Sequence, residues 1–345
     1  MTARTDSKRW ADGGPWYRRR VTTTRLDFLG IGAPKAATTS LHHYMRTHPE
    51  LYLPEAKEQP FFTVDAAFEE GWDSFAAVAF HGAPSGRLYG KITPHYMGGP
   101  VAWRDSTAAA GAEPAVVVTA RRIAQAFPDV KLIAMLRDPV ERAISSYWQT
   151  MLLGDDERTL DEALDEELSA DALEAARARP TDGHQHIVAG EYGRALDAYL
   201  RLYPREQLFV GSVTVLERDP MALLGDLWRF LGVDDSHVPA NLDKRYQVRG
   251  TGRRIPVIAA VPRIVKGTPG LRHAWHALPE RTRVGARARF RTLAEHQDQR
   301  KPVGDERMWE DPDPALVERL RQHFAEDAKL LEELVGPVPG VTDRA

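Results

Sequence analysis

The sequence contains no cysteine in 345 residues, and it lacks any long apolar run. Without cysteine there are no disulfides and no thiol chemistry, and we predict a cytoplasmic protein because a reducing compartment suits this composition. The absence of about 18 consecutive apolar residues argues against a membrane-spanning helix, and the polar, basic start predicts no signal peptide. A net charge of −3 argues against general nucleic-acid binding, and the abundance of Ala, Arg, Asp and Pro is typical of a bacterial source.

Short apolar runs alternate with helical patterns over most of the chain. This alternation predicts an α/β fold in which helices flank both faces of a parallel sheet. We expect a single domain over residues 25–340, preceded by a flexible arm at 1–24. Strands are predicted at 26–32, 88–92, 131–136 and 207–213, and helices at 41–47, 119–127, 140–151, 192–202, 220–231 and 315–335.

Two segments have an uneven charge. Residues 155–175 carry many carboxylates and predict a solvated helix, whereas residues 249–301 contain 13 Lys and Arg against three Asp and Glu. We predict that the basic segment is a helical or loop excursion from the domain. It either packs on the core as a solvated surface or forms a basic lip over an anionic cofactor, an anionic acceptor or a membrane surface, and the sequence leaves these alternatives open.

A loop of small residues follows the first predicted strand, which ends at Gly32. Residues 33–40 read Ala-Pro-Lys-Ala-Ala-Thr-Thr-Ser and lead into a helical pattern. A strand, a small-residue loop and a helix in this order aim backbone N–H groups at a phosphate, to which Lys35 adds a full charge and three hydroxyls add orientable donors. We therefore predict a phosphate site made of Lys35, Ala36, Ala37, Thr38, Thr39 and Ser40.

This loop differs from the P-loop of nucleotide triphosphatases. That motif has a glycine directly before the lysine and a Ser or Thr directly after it, whereas Lys35 lies between Pro34 and Ala36. The sequence also lacks an apolar strand ending in Asp that would complete a magnesium site. We therefore predict P-loop-like phosphate binding without a metal. Sulfuryl transfer from a phosphosulfate fits such a site, because the leaving group is a phosphate that a lysine can stabilise.

A second anion site is predicted at the end of another strand. Arg137 directly follows the apolar run 131–136, and open α/β sheets bind ligands at the carboxyl ends of their strands. Ser145 lies eight residues later in the next predicted helix, so both side chains can reach one anion. An arginine at a strand end is equally typical of a surface ion pair, but together with the first loop it indicates a second phosphate.

These residues together resemble the family of sulfotransferases that depend on PAPS (3′-phosphoadenosine-5′-phosphosulfate). Segment 32–40 matches the 5′-phosphosulfate loop of the family, and segment 136–147 matches its 3′-phosphate segment. The resemblance covers roughly residues 26–240 and returns in the last helix. It implies the sulfotransferase fold, with PAPS as co-substrate, PAP as product, no metal, and Arg137 and Ser145 on the 3′-phosphate.

The stretch Lys57-Glu58-Gln59-Pro60-Phe61-Phe62 resembles the branch that contains heparan sulfate sulfotransferases and their bacterial homologues. The resemblance implies that Glu58 is the catalytic base and that Lys91 lies beside the transferred group. Cytosolic steroid and phenol sulfotransferases use a histidine instead, so His95 is the alternative base. The cofactor-covering loop of the branch is matched weakly by Thr251, Gly252 and Arg253.

The expected activity is transfer of a sulfuryl group from PAPS to an acceptor hydroxyl or amine. The resemblance favours a carbohydrate or glycolipid acceptor, but bacterial homologues also sulfate secondary metabolites, so the acceptor stays open. Two other functions remain as alternatives: a nucleotide-dependent kinase with a divergent P-loop, and a non-catalytic member of the fold that binds a nucleotide or carbohydrate. No motif predicts the oligomeric state, and no nucleic-acid partner is expected.

Overall fold

The computed structural model describes residues 25–98, 113–153, 156, 158–178, 186–244, 246 and 312–344. Within these residues, five strands form a parallel sheet in the order β2-β3-β1-β4-β5, and helices flank it. This architecture confirms the α/β fold class predicted from the alternation of strands and helices. The predicted arm at 1–24 and the basic excursion at 249–301 lie outside the described residues, so both stay predictions, as does the single domain over 25–340.

The strands and helices of the described residues are numbered in chain order. The strands are β1 (Phe28–Gly32), β2 (Leu51–Tyr52), β3 (Leu88–Ile92), β4 (Lys131–Leu136) and β5 (Leu208–Ser212). The helices are α1 (Thr38–Met45), α2 (Asp65–Glu70), α3 (Trp72–Ala79), α4 (Ala115–Ala126), α5 (Pro139–Leu153), α6 (Leu160–Glu167), α7 (Ala170–Ala178), α8 (Tyr192–Leu200), α9 (Val213–Arg218), α10 (Pro220–Leu231) and α11 (Pro314–Val335).

The centre of the sheet is apolar on both faces. Every residue of β1 is buried, and so are five of the six residues of β4. Strands covered by helices on both sides need continuous apolar runs rather than alternation, which is why these two strands were readable from the sequence. Gly90 in β3 permits close packing between β3 and β1, because a Cβ there would lie 1.9 Å from the ring of Phe28. Within the described ranges, no helix is both long and apolar enough to cross a membrane.

The acidic segment at 155–175 does not form the single solvated helix that its charge predicted. Its residues contribute to two helices, α6 and α7, which are separated at Leu168 and Ser169. One face of each helix packs into a second apolar cluster with α5 and α11, because Leu160, Leu164 and Leu173 are buried there. The carboxylates are confined mainly to the opposite, exposed face, and the apolar periodicity prevails over the net charge.

Glu191 joins three helices in the interior. Its carboxylate is 3% exposed and accepts hydrogen bonds from Arg177 of α7 at 2.7 Å and from Arg194 of α8 at 2.6 Å. It also lies 3.1 Å from Nε2 of His323 in α11. Burial by itself raises the pKa of Glu191, but the hydrogen bonds from His323 and Arg177 prevail and lower it to about 2. The packing of these helices therefore depends on an ionised carboxylate.

We expect Glu191→Gln to lower the free energy of unfolding by about 2 kcal/mol at pH 7, because two partly exposed guanidinium groups lose their counter-charge. Urea unfolding measures this loss. The ionised carboxylate contributes stability above the ordinary pKa of Glu, about 4.3, and the contribution disappears as the pH falls through about 2. Glu326→Gln in α11, which breaks an exposed pair with Lys329, is the matched control and should leave unfolding unchanged. Equal losses in the two variants would contradict this account.

Candidate active site

The phosphate loop and Arg137 lie at the ends of adjacent strands. β1 pairs with β3 on one side and with β4 on the other. The chain continues from β1 to β2 and β3 on one side of the sheet and then crosses to β4 and β5 on the other, so the strand order reverses between β1 and β4. Open α/β sheets bind ligands in the crevice at such a switch point. The topology thus brings the two predicted anion sites to one edge.

The loop between β1 and α1 has a backbone suited to an anion. Lys35 and Ala37 have positive φ angles of 68° and 55°, which few residues other than glycine adopt. Left-handed residues of this kind curl the backbone so that successive N–H groups converge, and the first N–H groups of α1 have no partner within the helix. Ala37 is the N-cap of α1 and makes no side-chain capping bond. Residues 38–40 of the predicted phosphate site therefore lie at the start of α1, whereas the N–H of Ala36 donates to the carbonyl of Ala33 at 3.2 Å.

Lys35 is half-buried in this loop. Burial, followed by the positive charge of Arg137, lowers the pKa of Lys35 to about 8, although the carboxylate of Glu58 opposes the shift. A lysine that has lost hydration beside a second cation is stabilised in its charged form by a bound anion. The electrostatics of the crevice therefore favour anionic groups bound at Lys35 and at Arg137.

Arg137 is fixed through both its backbone and its side chain. Its carbonyl accepts a hydrogen bond of 2.9 Å from the hydroxyl of Tyr192, which is buried. Its guanidinium donates to Glu141 in the first turn of α5, at 2.9 and 3.2 Å. Ser145 lies in the second turn of the same helix and is half-buried. A phosphate bound here would share Arg137 with the Glu141 carboxylate.

The segment between β2 and α2 brings a Lys–Glu pair to the phosphate loop. The ammonium of Lys57 lies 3.3 Å from Oγ1 of Thr38, 3.1 Å from Oγ1 of Thr39 and 3.0 Å from Oε1 of Glu58. The Glu58 side chain is 19% exposed, so its carboxylate is sheltered but reachable. The structure therefore places the predicted base beside the predicted donor site.

Lys91 lies within β3 and is 2% exposed. Its ammonium donates to Oε1 of Gln59 at 3.0 Å and to the carbonyl of Lys57 at 3.3 Å, and lies 5.5 Å from the ring centre of Phe75. Burial lowers the pKa of Lys91 to about 7, with the Glu58 carboxylate opposing the shift. Negative charge that develops nearby would be stabilised strongly by this ammonium, because little water screens it.

His95 and Glu58 approach each other in the same site. His95 lies in a short 3₁₀ helix, Pro94–Met97, directly after β3, and its Nε2 is 4.0 Å from Oε2 of Glu58. A Cβ on Gly32 would lie 2.3 Å from Sδ of Met97, so the glycine lets this turn pack against the end of β1. Both candidate bases therefore stand beside the phosphate loop, and Glu58 also contacts the Lys57 ammonium.

Comparison with known proteins identifies the family. A family model described as the sulfotransferase family matches residues 28–237, which include the phosphate loop, Glu58, Lys91 and Arg137. The chain belongs to the sulfotransferase family. Human heparan sulfate glucosamine 3-O-sulfotransferase 3B1 is 28% identical over 224 residues, covering 63% of this chain and 49% of that protein. Human bifunctional heparan sulfate N-deacetylase/N-sulfotransferase 2 is 27% identical over 233 residues, covering 66% of this chain and 24% of that protein.

This sulfotransferase-family chain therefore spans about half the length, or less, of these curated relatives. The relatives confirm the predicted resemblance to heparan sulfate sulfotransferases. Among solved structures, a sulfotransferase from Alicyclobacillus acidocaldarius superposes with a TM-score of 0.60 at 22% identity, covering 93% of this chain and 99% of that one. At that identity the likeness confirms the sulfotransferase fold alone.

Two contributors to the sulfotransferase site were not singled out from the sequence as functional residues. Lys57 and Gln59 belong to the stretch that carried the family resemblance, yet only Glu58 was assigned a role there. Lys57 contacts the phosphate loop and Gln59 contacts Lys91. Their position on both sides of the predicted base was the available signal. The predicted covering-loop residues Thr251, Gly252 and Arg253 lie outside the described residues.

Proposed function

We propose that this protein transfers a sulfuryl group from PAPS to a hydroxyl or amine of an acceptor. The observation that supports this most directly is the junction at Lys57. One ammonium contacts the hydroxyls of Thr38 and Thr39 and the Glu58 carboxylate, so a candidate base stands beside the predicted phosphate loop. A kinase reading gains no comparable support from the geometry.

The residues of the crevice fit the two phosphate groups of PAPS. Lys35, with the backbone N–H groups at the start of α1, suits the 5′-phosphosulfate, and the lowered pKa of Lys35 indicates that a negative charge would be stabilising there. Arg137 at the neighbouring strand end, with Ser145, suits the 3′-phosphate. This second cation would distinguish PAPS from a simple adenosine phosphosulfate.

Bound PAPS supplies the activated sulfuryl group, and the side chains of the site supply proton transfer and charge stabilisation. Glu58 accepts the proton of the acceptor hydroxyl while that oxygen forms its bond to sulfur. The bond between sulfur and the bridging phosphate oxygen breaks in line, and its electron pair stays on that oxygen, where Lys35 stabilises it. Lys91 neutralises the charge on the sulfuryl oxygens. His95 is the alternative proton acceptor, 4.0 Å from Glu58.

For the acceptor, we propose a carbohydrate, either free or as part of a glycolipid. The support is the likeness to proteins named for heparan sulfate. A secondary metabolite is the alternative. Incubation with labelled PAPS and N-sulfated heparosan oligosaccharides, a glycolipid and a simple phenol separates these classes. Absence of transfer to every member of the panel, with PAP still bound, would favour a non-catalytic member of the fold.

The cofactor assignment is tested by calorimetric titration with PAP beside AMP and Mg-ATP. We expect metal-independent PAP binding that weakens about tenfold or more in Arg137→Ala, because a charge-assisted bond to phosphate is lost. Arg201→Ala removes an arginine from a similar i,i+4 ion pair at the surface and should bind PAP normally. Binding of Mg-ATP in place of PAP would overturn the proposal and favour a kinase.

The same titration should depend on pH. Lys35 and Lys91 have pKa values lowered to about 8 and about 7, and an anionic ligand favours their protonated forms. PAP binding should therefore take up protons near neutral pH, and the affinity should fall at least about tenfold between pH 7 and pH 9, which is the loss expected from deprotonation of Lys35 alone. Titrations in buffers of different ionisation enthalpy measure the proton uptake directly. Proton release on binding would contradict the assigned role of these lysines.

A further inference from the structure

Lys57 contacts several groups of the candidate site, but the mechanism proposed above gives it no role. We propose that Lys57 is a positioning residue, which ties the Glu58 carboxylate to the donor loop and keeps it ionised and aimed toward the acceptor. The catalytic role of Lys57 rests on the function proposed above. The contacts that link Lys57, Glu58 and the loop are observed in the structure and do not depend on that function.

The side chain of Lys57 uses its full donor capacity. An ammonium has three N–H donors, and three acceptors lie within 3.0–3.3 Å of it: the hydroxyls of Thr38 and Thr39 and Oε1 of Glu58. The side chain is only 10% exposed, so water competes little for these donors. Two acceptors belong to the phosphate loop and the third is the candidate base, so the ammonium links two parts of the site with different tasks.

Among the described residues, Lys57 contacts the Glu58 carboxylate directly, with its ammonium 3.0 Å from Oε1. Lys91 acts on Glu58 through space, but its ammonium donates to Gln59 and to the backbone carbonyl of Lys57. Lys35 likewise acts through its charge. Within the described part of the chain, the imidazole of His95 also faces this carboxylate, with Nε2 4.0 Å from Oε2.

The backbone and side chain of Lys57 thus connect three predicted functional groups. Its carbonyl accepts from the Lys91 ammonium, and its own ammonium joins Glu58 to α1. A bound PAPS molecule that contacts the hydroxyls of Thr38 and Thr39 would influence the Glu58 carboxylate through the Lys57 ammonium. Holding a carboxylate against a cation keeps it deprotonated at lower pH and fixes its rotamer, which a general base requires.

The link is tested without any acceptor by titrating the side-chain carboxyl of Glu58 by NMR in ¹³C-glutamate-labelled protein. The signal is assigned by its loss in Glu58→Gln. We expect the titration midpoint to rise by about one pH unit or more in Lys57→Met, because a contacting cation is removed. Lys57→Arg should restore most of the shift. Lys329→Met, which breaks the exposed pair with Glu326, should leave the midpoint unchanged.

The catalytic role of Lys57 is tested with labelled PAPS and an N-sulfated heparosan oligosaccharide. In Lys57→Met, kcat should fall about tenfold or more, with the KM for PAPS changed less than about threefold, and the acid limb of the kcat profile should move up with the Glu58 midpoint. A loss confined to the KM for PAPS would assign Lys57 to donor binding and overturn the proposal.

An unchanged titration midpoint of Glu58 in folded Lys57→Met would also overturn the proposal that Lys57 positions Glu58. If Lys57→Met does not fold, Lys57→Gln, which keeps polar contacts but not the charge, gives the same reading. Absence of transfer by the wild-type protein would count against the proposed function, while the NMR titration would still decide whether Lys57 controls Glu58.

Discussion

Lys35→Met is expected to slow sulfuryl transfer from PAPS by at least about a hundredfold, because it removes the cation that we propose stabilises the charge developing on the bridging oxygen. Lys35 lies in the loop between β1 and α1, and its lowered pKa shows that this position disfavours a bare positive charge. The protein places a lysine there despite that cost, which is typical of a residue used for function. Steady-state transfer of label to the acceptor measures the loss.

The matched control for this prediction is Lys329→Met on α11, where the ammonium is exposed and paired with Glu326. It should transfer at the wild-type rate. Lys35→Arg keeps the charge but not the compact shape, so it should recover only part of the activity. Near-normal transfer by a folded Lys35→Met protein would show that the proposed mechanism is wrong.

Glu58→Gln should lower kcat by about 10²- to 10⁴-fold, because the amide cannot accept a proton. PAP affinity should stay within about threefold of the wild type, since the amide oxygen still accepts a hydrogen bond from Lys57 and the loop is untouched. Measuring kcat and PAP binding on one preparation separates loss of chemistry from loss of donor binding.

His95→Asn is the matched variant that separates the two candidate bases. His95 lies 4.0 Å from Glu58 on a separate element, so each side chain can be neutralised while the other remains. If Glu58 is the base, His95→Asn costs less than Glu58→Gln. A larger loss in His95→Asn, with Glu58→Gln nearly active, would assign the proton transfer to histidine.

The sequence predicted the central strands well because their environment is simple. β3 and β4 begin and end where the apolar runs do, and β1 and β5 differ by no more than two residues at either end. β2 was missed because its two residues are too few to form a pattern. The helices α2 and α3 were missed because their aromatic residues, such as Phe68, Trp72 and Phe75, pack into one cluster between short turns.

The site was predictable where its chemistry is local in sequence. The loop around Lys35 is a strand, small residues and a helix start in succession, and Arg137 follows an unmistakable strand. The junction at Lys57 was not predictable in the same way, since its acceptors on α1 lie 18 and 19 residues earlier. Only folding reveals that these hydroxyls and Glu58 share one ammonium, and the family resemblance drew attention to the carboxylate rather than to its neighbour.

The half-buried position of Lys35 also makes it a nucleophile. With a pKa of about 8, Lys35 carries a neutral amine in about a tenth of the molecules at pH 7, against about 0.03% for an ordinary lysine. Neutral amines acylate and form imines, whereas ammonium groups do not. Acylating or aldehyde reagents should therefore modify Lys35 ahead of solvated lysines, and a bound anion should protect it. The residue proposed to bind the donor phosphate is thus also a reactive site for covalent inhibitors.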